Sequence, residues 1–370
     1  MLLVGDIANG ALPFRIDIEF DILCANLEGP LGNFDKSQKA LKAGPHLCNS
    51  APFLRADKSY IFSLANNHFW DYGAAGYQTT LKELSRYDYH AGGAGNSVQE
   101  ARRPLLIDYQ GKRLAFIFSC EQQFGLASDV AGGCAHEGPW IFPLIRHLRE
   151  EADYIILSSH RALEMTSIPT PDARDLYRAY IDCGVNLVWG HHSHVPQVFE
   201  KYNSGFIAYG LGNFLVPPKA WQQHKNTLWS IGLDVNFRDE LEVTPRYFTI
   251  SESTGMGYVR ETDDHQIQQY VNKYQEIFHD EEAYKRICNA NAKLCHEGYC
   301  QDYIWCNDAI CAQLAKKSWR EFPAIIKKIG SYKRRKTDLP PNLLPYHAIS
   351  CESHREAFLT HEKNLLSIDK

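Results

Sequence analysis

The chain has 370 residues, 44% of them hydrophobic, 22% charged and 12% aromatic, with 39 basic against 44 acidic side chains and a formal net charge of −5. These proportions exclude disorder, collagen and low-complexity assemblies, and the balance of charge gives no general attraction to nucleic acid or anionic membranes. The length suits two domains, or one large domain with an appendage.

Taken in chain order, apolar runs of strand length stand at Met1–Gly5, Asp21–Asn26, Tyr60–Leu64, Leu114–Ser119, Tyr154–Ser158, Val185–Gly190 and Phe206–Gly210. Most are near-continuous rather than alternating, as expected of strands covered on both faces. Helical spacing appears between them, over Tyr77–Arg86 and Asp172–Cys183. Strand–helix alternation predicts an α/β layered domain. Leu233–Phe237 and Leu241–Ile250 read as closing β segments around the turn-like Arg238-Asp239-Glu240. Beyond about residue 258 the period changes: Ile267, Tyr270, Val271, Tyr274, Ile277 and Phe278 follow the i, i+3, i+4, i+7 spacing of an amphipathic helix. Helical text continues to about Ile329, Leu339-Pro340-Pro341-Asn342 breaks it, and Glu352–Leu366 reads as a last helix. The predicted organisation is therefore residues 1–255 as an α/β domain and 256–370 as a mostly helical C-terminal region.

The 11 cysteines form no Cys-x-x-Cys pair, although five fall between Cys288 and Cys311. Reduced thiols on helices are the first reading, with a soft-metal or redox cluster as the alternative. No stretch approaches the ~18 apolar residues of a membrane span. The opening Met1-Leu2-Leu3-Val4-Gly5-Asp6 reaches an acid too early for a signal peptide, and the expected compartment is the cytoplasm. The basic run Lys327-Lys328 and Lys333-Arg334-Arg335-Lys336 has no aromatic platform beside it and reads as a solvated helix end and loop rather than a phosphate-binding surface.

Chemistry is carried by the polar residues at strand ends. Asp6 ends the first strand and Asn26-Leu27-Glu28-Gly29-Pro30 the second; Asn66-Asn67-His68 follows the third, with Asp71 just beyond. His160 ends the strand begun at Tyr154, with Glu164 four residues on, and Gly190-His191-His192-Ser193-His194 follows the next. The carboxyl ends of parallel strands line one crevice, where ligands bind. Singly, each has a structural explanation: Asp6 a helix cap, Asn66-Asn67 a turn, His160 a bonded core histidine. Three imidazoles within four residues after a buried strand instead point to metal. Mixed imidazole, carboxylate and amide oxygen suit Mn, Fe, Zn or Co. Six candidate ligands, Asp6, Glu28, Asn67, His160, His192 and His194, exceed one catalytic zinc and suit two divalent metal ions sharing a carboxylate, roughly 3.5–4 Å apart. Such a pair would make hydroxide available near neutral pH and clamp phosphoryl oxygens. His68 is placed as general acid and Asp71 as its orienting carboxylate.

Several stretches resemble a known family. Asn26-Leu27-Glu28-Gly29-Pro30-Leu31, Leu64-Ala65-Asn66-Asn67-His68 with Asp71-Tyr72-Gly73, Gly93-Ala94-Gly95, Gly190-His191-His192-Ser193-His194 and Leu211-Gly212-Asn213-Phe214 look like the signature of CapA-type capsule or poly-γ-glutamate synthesis proteins. The resemblance covers roughly residues 1–250. It implies the calcineurin-like metallophosphoesterase superfamily, a four-layered α/β/β/α sandwich and a two-metal site. By position, Asp6 resembles the superfamily's first Asp, Asn67-His68 its Asn-His pair and His192-Ser193-His194 its closing His-x-His, with Glu28 in the bridging carboxylate's place. Two departures stand out: Ala8 occupies the position of a usual histidine ligand, and His160-Arg161-Ala162-Leu163-Glu164 replaces His-Trp-Gly-x-Glu. The implied function is a metal-dependent hydrolase in capsule, poly-γ-glutamate or cell-surface polysaccharide biosynthesis. Hydroxide would attack, the metals and His191 would hold the oxyanion, and His68 would protonate the leaving group. The implied substrate is a phosphorylated or anionic small molecule or polymer, with surface-polymer biosynthesis proteins as partners. The alternative is a non-catalytic, metal-binding accessory protein of such a complex.

Overall fold

The computed structural model describes residues 1–40, 42, 44–128, 131–306, 355, 356 and 360. Along the chain run β1 (Leu2–Ile7), β2 (Phe14–Asp17), β3 (Ile22–Leu27), β4 (Ser59–Ser63), α1 (Gly73–Leu84), β5 (Asp88–Gly92), β6 (Ala94–Gly95) and α2 (Val98–Ala101). There follow β7 (Leu105–Tyr109), β8 (Lys112–Cys120), β9 (Gly133–Cys134), α3 (Ile141–Leu148), β10 (Tyr154–His160), α4 (Pro171–Cys183) and β11 (Leu187–His191). The rest comprises β12 (Phe199–Tyr202), β13 (Gly205–Ala208), β14 (Asn213–Leu215), α5 (Pro218–Trp221), β15 (Trp229–Phe237), β16 (Leu241–Ser253), β17 (Met256–Glu261), α6 (His265–His279) and α7 (Glu281–Cys306).

Among the described residues these strands form two large sheets. One has nine strands in the order β2-β17-β16-β15-β1-β3-β4-β5, with β14 also paired to β1; the other has six, ordered β12-β13-β11-β10-β8-β7. The apolar runs explain how they stack. Along β8, Leu114, Phe116 and Phe118 join an apolar cluster with Leu3, Val4 and Ile61 of the first sheet, while Ala115 and Ile117 join a second cluster with Ile145 of α3 and Tyr177 of α4. The same alternation sends Ile156 and Trp189 inward, and Leu157 and Val188 outward. A strand buried on both faces must be apolar at every position, which is why these runs lack the alternation of a half-exposed strand. The second cluster continues through Phe278 of α6 and Tyr284 of α7, so helices cover the outer face of the six-stranded sheet. On the nine-stranded sheet, α1 lies in the crossover between the parallel strands β4 and β5 and contributes Tyr77 and Leu84 to the core. The architecture is the expected four-layered α/β/β/α sandwich.

Trp189 ties the two sheets together: it is fully buried, and its Nε1 donates to the Val4 carbonyl at 2.9 Å. Trp189→Ala removes that bond and leaves a large void between the sheets. It is expected to lower unfolding free energy by about 3–5 kcal/mol, read from urea unfolding of the full chain.

The predicted segments Leu233–Phe237 and Leu241–Ile250 are the paired strands β15 and β16, and β17 continues the sheet by pairing with β16 and β2. Ile267 and Val271 of α6 join the inter-sheet cluster. Contacts group Met1–Ala40 with His46–Cys288 as one compact unit; Leu41–Pro45 and Asn289–Lys370 form the other. Of the latter, the continuation of α7 to Cys306 is the main described element. Helix α4 begins where Thr170 accepts from the Ala173 amide, with Pro171 in its first turn. Among the described residues, no helix is long and apolar enough to cross a membrane. Cys24, Cys48 and Cys183 are free thiols. Helix α7 carries Cys288, Cys295, Cys300 and Cys306. Cys311, Cys351, the basic run 327–336, the Leu339–Asn342 break and the greater part of the helix predicted over Glu352–Leu366 lie outside the described residues.

Candidate metal centre

The strand ends singled out in sequence converge, and they come from both sheets. Asp6, Asn26 and Asn213 stand side by side, because β1 pairs in parallel with β3 and with β14 and places Asp6 opposite each of them. In the facing sheet, the parallel register of β10 and β11 sets His160 beside His191. Two glycines make this close approach possible. A Cβ on Gly5 would lie 1.7 Å from the Gly212 carbonyl oxygen, and one on Gly190 2.0 Å from that of Tyr209. The loop after β3 is fixed by Asn49, whose Nδ2 donates to the carbonyls of Glu28 at 2.9 Å and Gly29 at 3.0 Å.

Glu28 and His160 are fully buried, and Asp6 and His192 are each 1% exposed. The Nδ1 of His194 lies 3.6 Å from Asp6 Oδ2 and 3.8 Å from Glu28 Oε2. His160 Nε2 lies 3.0 Å from Asn67 Oδ1 and 3.8 Å from Glu28 Oε1. Glu28 is thus the acid common to two groups of donors. Its carboxylate and the ring nitrogens of His192 and His194 offer atoms all within 4.8 Å of one another. Beside this cluster, His68 donates Nδ1–H to Asp71 Oδ2 at 2.8 Å, and the same oxygen accepts the Leu47 amide at 2.7 Å. His191 is 1% exposed, with Nδ1 3.3 Å from Asp6 Oδ1 and its ring edge-on to Trp189 at 4.6 Å between centroids.

The backbone is bent to make this arrangement. His192 and His194 both adopt positive φ, 81° and 57°. That conformation disfavours side chains with a Cβ and is retained where the surroundings over-determine it. The surroundings also shift protonation. Burial opposes ionisation of Asp6, but hydrogen bonding with His191, the charges of His191 and His194 and the Asn26 amide together hold its carboxyl below the usual range. Burial, reinforced by neighbouring imidazoles with His192 foremost, keeps His160 neutral well below the ordinary imidazole range. His192 goes the other way: burial works against its charge, but the hydrogen bond and charge of Glu121 prevail and raise it.

The His160 shift carries a stability signature in metal-free protein. The unfolded chain takes up a proton on His160 below about pH 6.5 while the folded chain does not, so the stability tied to the neutral ring is complete above that pH and lost as pH falls. The loss approaches about 1.4 kcal/mol per pH unit until the folded pKa is reached. Chelator-treated wild type should therefore lose its melting-temperature advantage over His160→Gln between pH 7.5 and 5.5. A pH-independent difference would contradict this.

The donor set fits divalent metal. It combines two carboxylates, one amide oxygen and three imidazoles, a mixture matched to Mn, Fe, Zn or Co. One ring nitrogen, His192 Nδ1, is buried and has no hydrogen-bond partner among the described residues, which is the condition a ligating nitrogen needs. Ala8, two residues after Asp6, supplies no donor side chain.

Several participants escape sequence reasoning. Asn26 Nδ2 lies between Asp6 Oδ1 at 2.9 Å and His160 Nδ1 at 3.1 Å, and Asn26 Oδ1 accepts from Asn66. Asn213 Oδ1 lies 3.1 Å from His194 Nδ1. Glu121, 1% exposed, lies 3.2 Å from His192 Nε2. The signal that finds the ligands, polar residues directly after an apolar strand, also marks Glu121-Gln122-Gln123 after β8. Arg161 pairs with the buried Glu137 at 3.2 Å. Glu164 is the more exposed neighbour, 3.9 Å from His192 Nε2.

The family model for the bacterial capsule synthesis protein PGA_cap matches residues 15–217, and the chain belongs to that family. It is 29% identical over 234 residues to the PGA biosynthesis protein CapA of Bacillus subtilis (strain 168), covering 61% of each chain. It is 30% identical over 221 residues to the capsule biosynthesis protein CapA of Bacillus anthracis, covering 56% of this chain and 53% of that one. A probable polyglutamine synthesis accessory protein of Mycobacterium tuberculosis (strain ATCC 25618 / H37Rv) is 26% identical over 276 residues, covering 66% of this chain and 69% of the other. The chain thus spans between half and two thirds of the length of the two Bacillus proteins.

Proposed function

We propose that this protein is a metal-dependent hydrolase of phosphoester-type bonds, acting in the cytoplasm on a phosphorylated or anionic intermediate of capsule, poly-γ-glutamate or cell-surface polysaccharide biosynthesis. The observation that carries the reading is the convergence of Asp6, Glu28, Asn67, His160, His192 and His194 beside the His68–Asp71 pair. When bound, a pair of divalent ions supplies a water of lowered pKa and offsets charge on phosphoryl oxygens. Asp6 and His194 would hold one position, Asn67, His160 and His192 the other, with Glu28 shared between them. His68 keeps its Nδ1–H on Asp71 and turns its Nε2 to the leaving oxygen as proton donor. Asp71 holds the ring's orientation and favours its protonated form. His191, set behind Asp6, adds to the field that steadies developing negative charge. The family membership supports the polymer setting, with surface-polymer biosynthesis proteins as partners. Residues 1–255 carry the chemistry in this reading.

A second reading, a non-catalytic metal-binding accessory protein, is favoured by one specific feature, the alanine at position 8. The two separate in one experiment. The protein is stripped, reloaded with Mn, Fe, Zn or Co, and assayed on phosphomonoester and phosphodiester panels beside His68→Ala. Hydrolysis that needs both metal and His68 is the expected result. Tight metal binding with no turnover on any panel would leave the accessory reading.

A further inference from the structure

Beyond the six donors, a buried polar relay joins two of them from outside. Asn67 Nδ2 donates to Gln123 Oε1 at 3.0 Å, and Gln123 Nε2 donates to Glu121 Oε1 at 2.6 Å. That same carboxylate oxygen lies 3.2 Å from His192 Nε2, and the Gln123 amide nitrogen approaches the ring nitrogen to 2.8 Å. Glu121 is 1% exposed and Gln123 7%. The relay joins three chain segments: the turn after β8, the Asn66-Asn67-His68 turn after β4 and the histidine loop after β11.

We propose that Glu121 and Gln123 are positioning residues that set Asn67 and His192 for divalent-metal binding, an inference that rests on the metal site proposed above. The two ends of the His192 ring are treated differently. Nδ1 is buried without a hydrogen-bond partner among the described residues, whereas Nε2 meets a carboxylate. Nε2 is held between the Glu121 carboxylate at 3.2 Å and the Gln123 amide at 2.8 Å, and a supporting shell of this kind fixes the ring plane of a ligating imidazole. The amide of Asn67 is oriented by the same device. With its Nδ2–H committed to Gln123, its Oδ1 is turned toward His160 Nε2 and becomes the atom offered as a ligand. A single buried acid thus orients ligands delivered by both sheets, neither of which can be held by the strand ladder alone.

The test uses the full chain and Mn2+ as probe. Binding is measured by calorimetry and by the electron paramagnetic resonance signal of the bound ion for wild type, Glu121→Gln and Glu121→Ala. Metal-free melting curves run in parallel. Glu121→Ala is expected to weaken Mn2+ binding by about 10–100-fold. Glu121→Gln keeps an acceptor oxygen and should recover part of that loss, with metal-free melting close to wild type in both variants. Wild-type affinity in both variants would overturn the inference while leaving the metal site standing. So would a loss matched by an equal fall in metal-free melting temperature, since that would be a purely structural effect. Wild type that binds no Mn2+ would overturn the site itself and this inference with it.

Discussion

Glu28→Gln should abolish tight metal binding while leaving the metal-free fold at least as stable as wild type. Glu28 is fully buried and is the acid shared by the His194 side and the His160 side of the cluster, at 3.8 Å from each. A neutral amide keeps its shape but removes a charge that would offset a bound cation, so Mn2+ affinity should fall by more than the about 100-fold typical of losing an outer supporting group. Stability moves the other way. A carboxylate withdrawn from water is costly to ionise, whereas an amide of the same shape carries no charge to bury. Calorimetric titration and melting of chelator-treated protein at pH 8 read both quantities from the same samples. A parallel fall in affinity and in melting temperature would instead assign Glu28 a structural role.

The second large effect concerns rate without binding. His68→Ala is expected to lower kcat on an activated or natural phosphoester by about 10²–10⁴-fold, with Mn2+ affinity within error of wild type. His68 is bonded to Asp71, and its side chain is 11% exposed against 1% for Asp71. A largely buried group that keeps this small opening to solvent and is held by a buried acid can meet a leaving oxygen and still exchange its proton. Asp71→Asn should give a smaller fall, since the ring keeps a polar neighbour but loses the charge that favours its protonated form. The alkaline limb of the pH–rate profile should disappear in His68→Ala and persist in Asp71→Asn. Loss of metal together with rate in His68→Ala would remove the acid role.

The two substitutions test different halves of one design. Glu28 lies in the cluster shared by both sheets, and its charge makes sense with cations present. His68 and Asp71 lie at the end of a single strand and work on what arrives from outside.

Much of this was legible along the chain. Strands β8, β10 and β11 announced themselves as unbroken apolar runs because both of their faces are buried. Strands β2 and β7 did not, since they stand at sheet edges, are short and alternate with exposed positions. The Gly-His-His-Ser-His run and the Asn-Asn-His turn stood out because ligating side chains crowd there without a packing reason. Sequence alone therefore determined the layered α/β class and the residue types of the centre, since strand burial and ligand chemistry are local properties of the chain. Tertiary structure decided the rest. Which strand ends face one another depends on how two sheets stack, and stacking is set by inward-facing residues as far apart as Val4 and Trp189. Only that stacking brings Asp6 within 3.6 Å of His194 and sets Glu121 against His192. The length and near-neutral charge that opened the description are compatible with many proteins; the facing of two sheets is what turns scattered acids, amides and imidazoles into one centre.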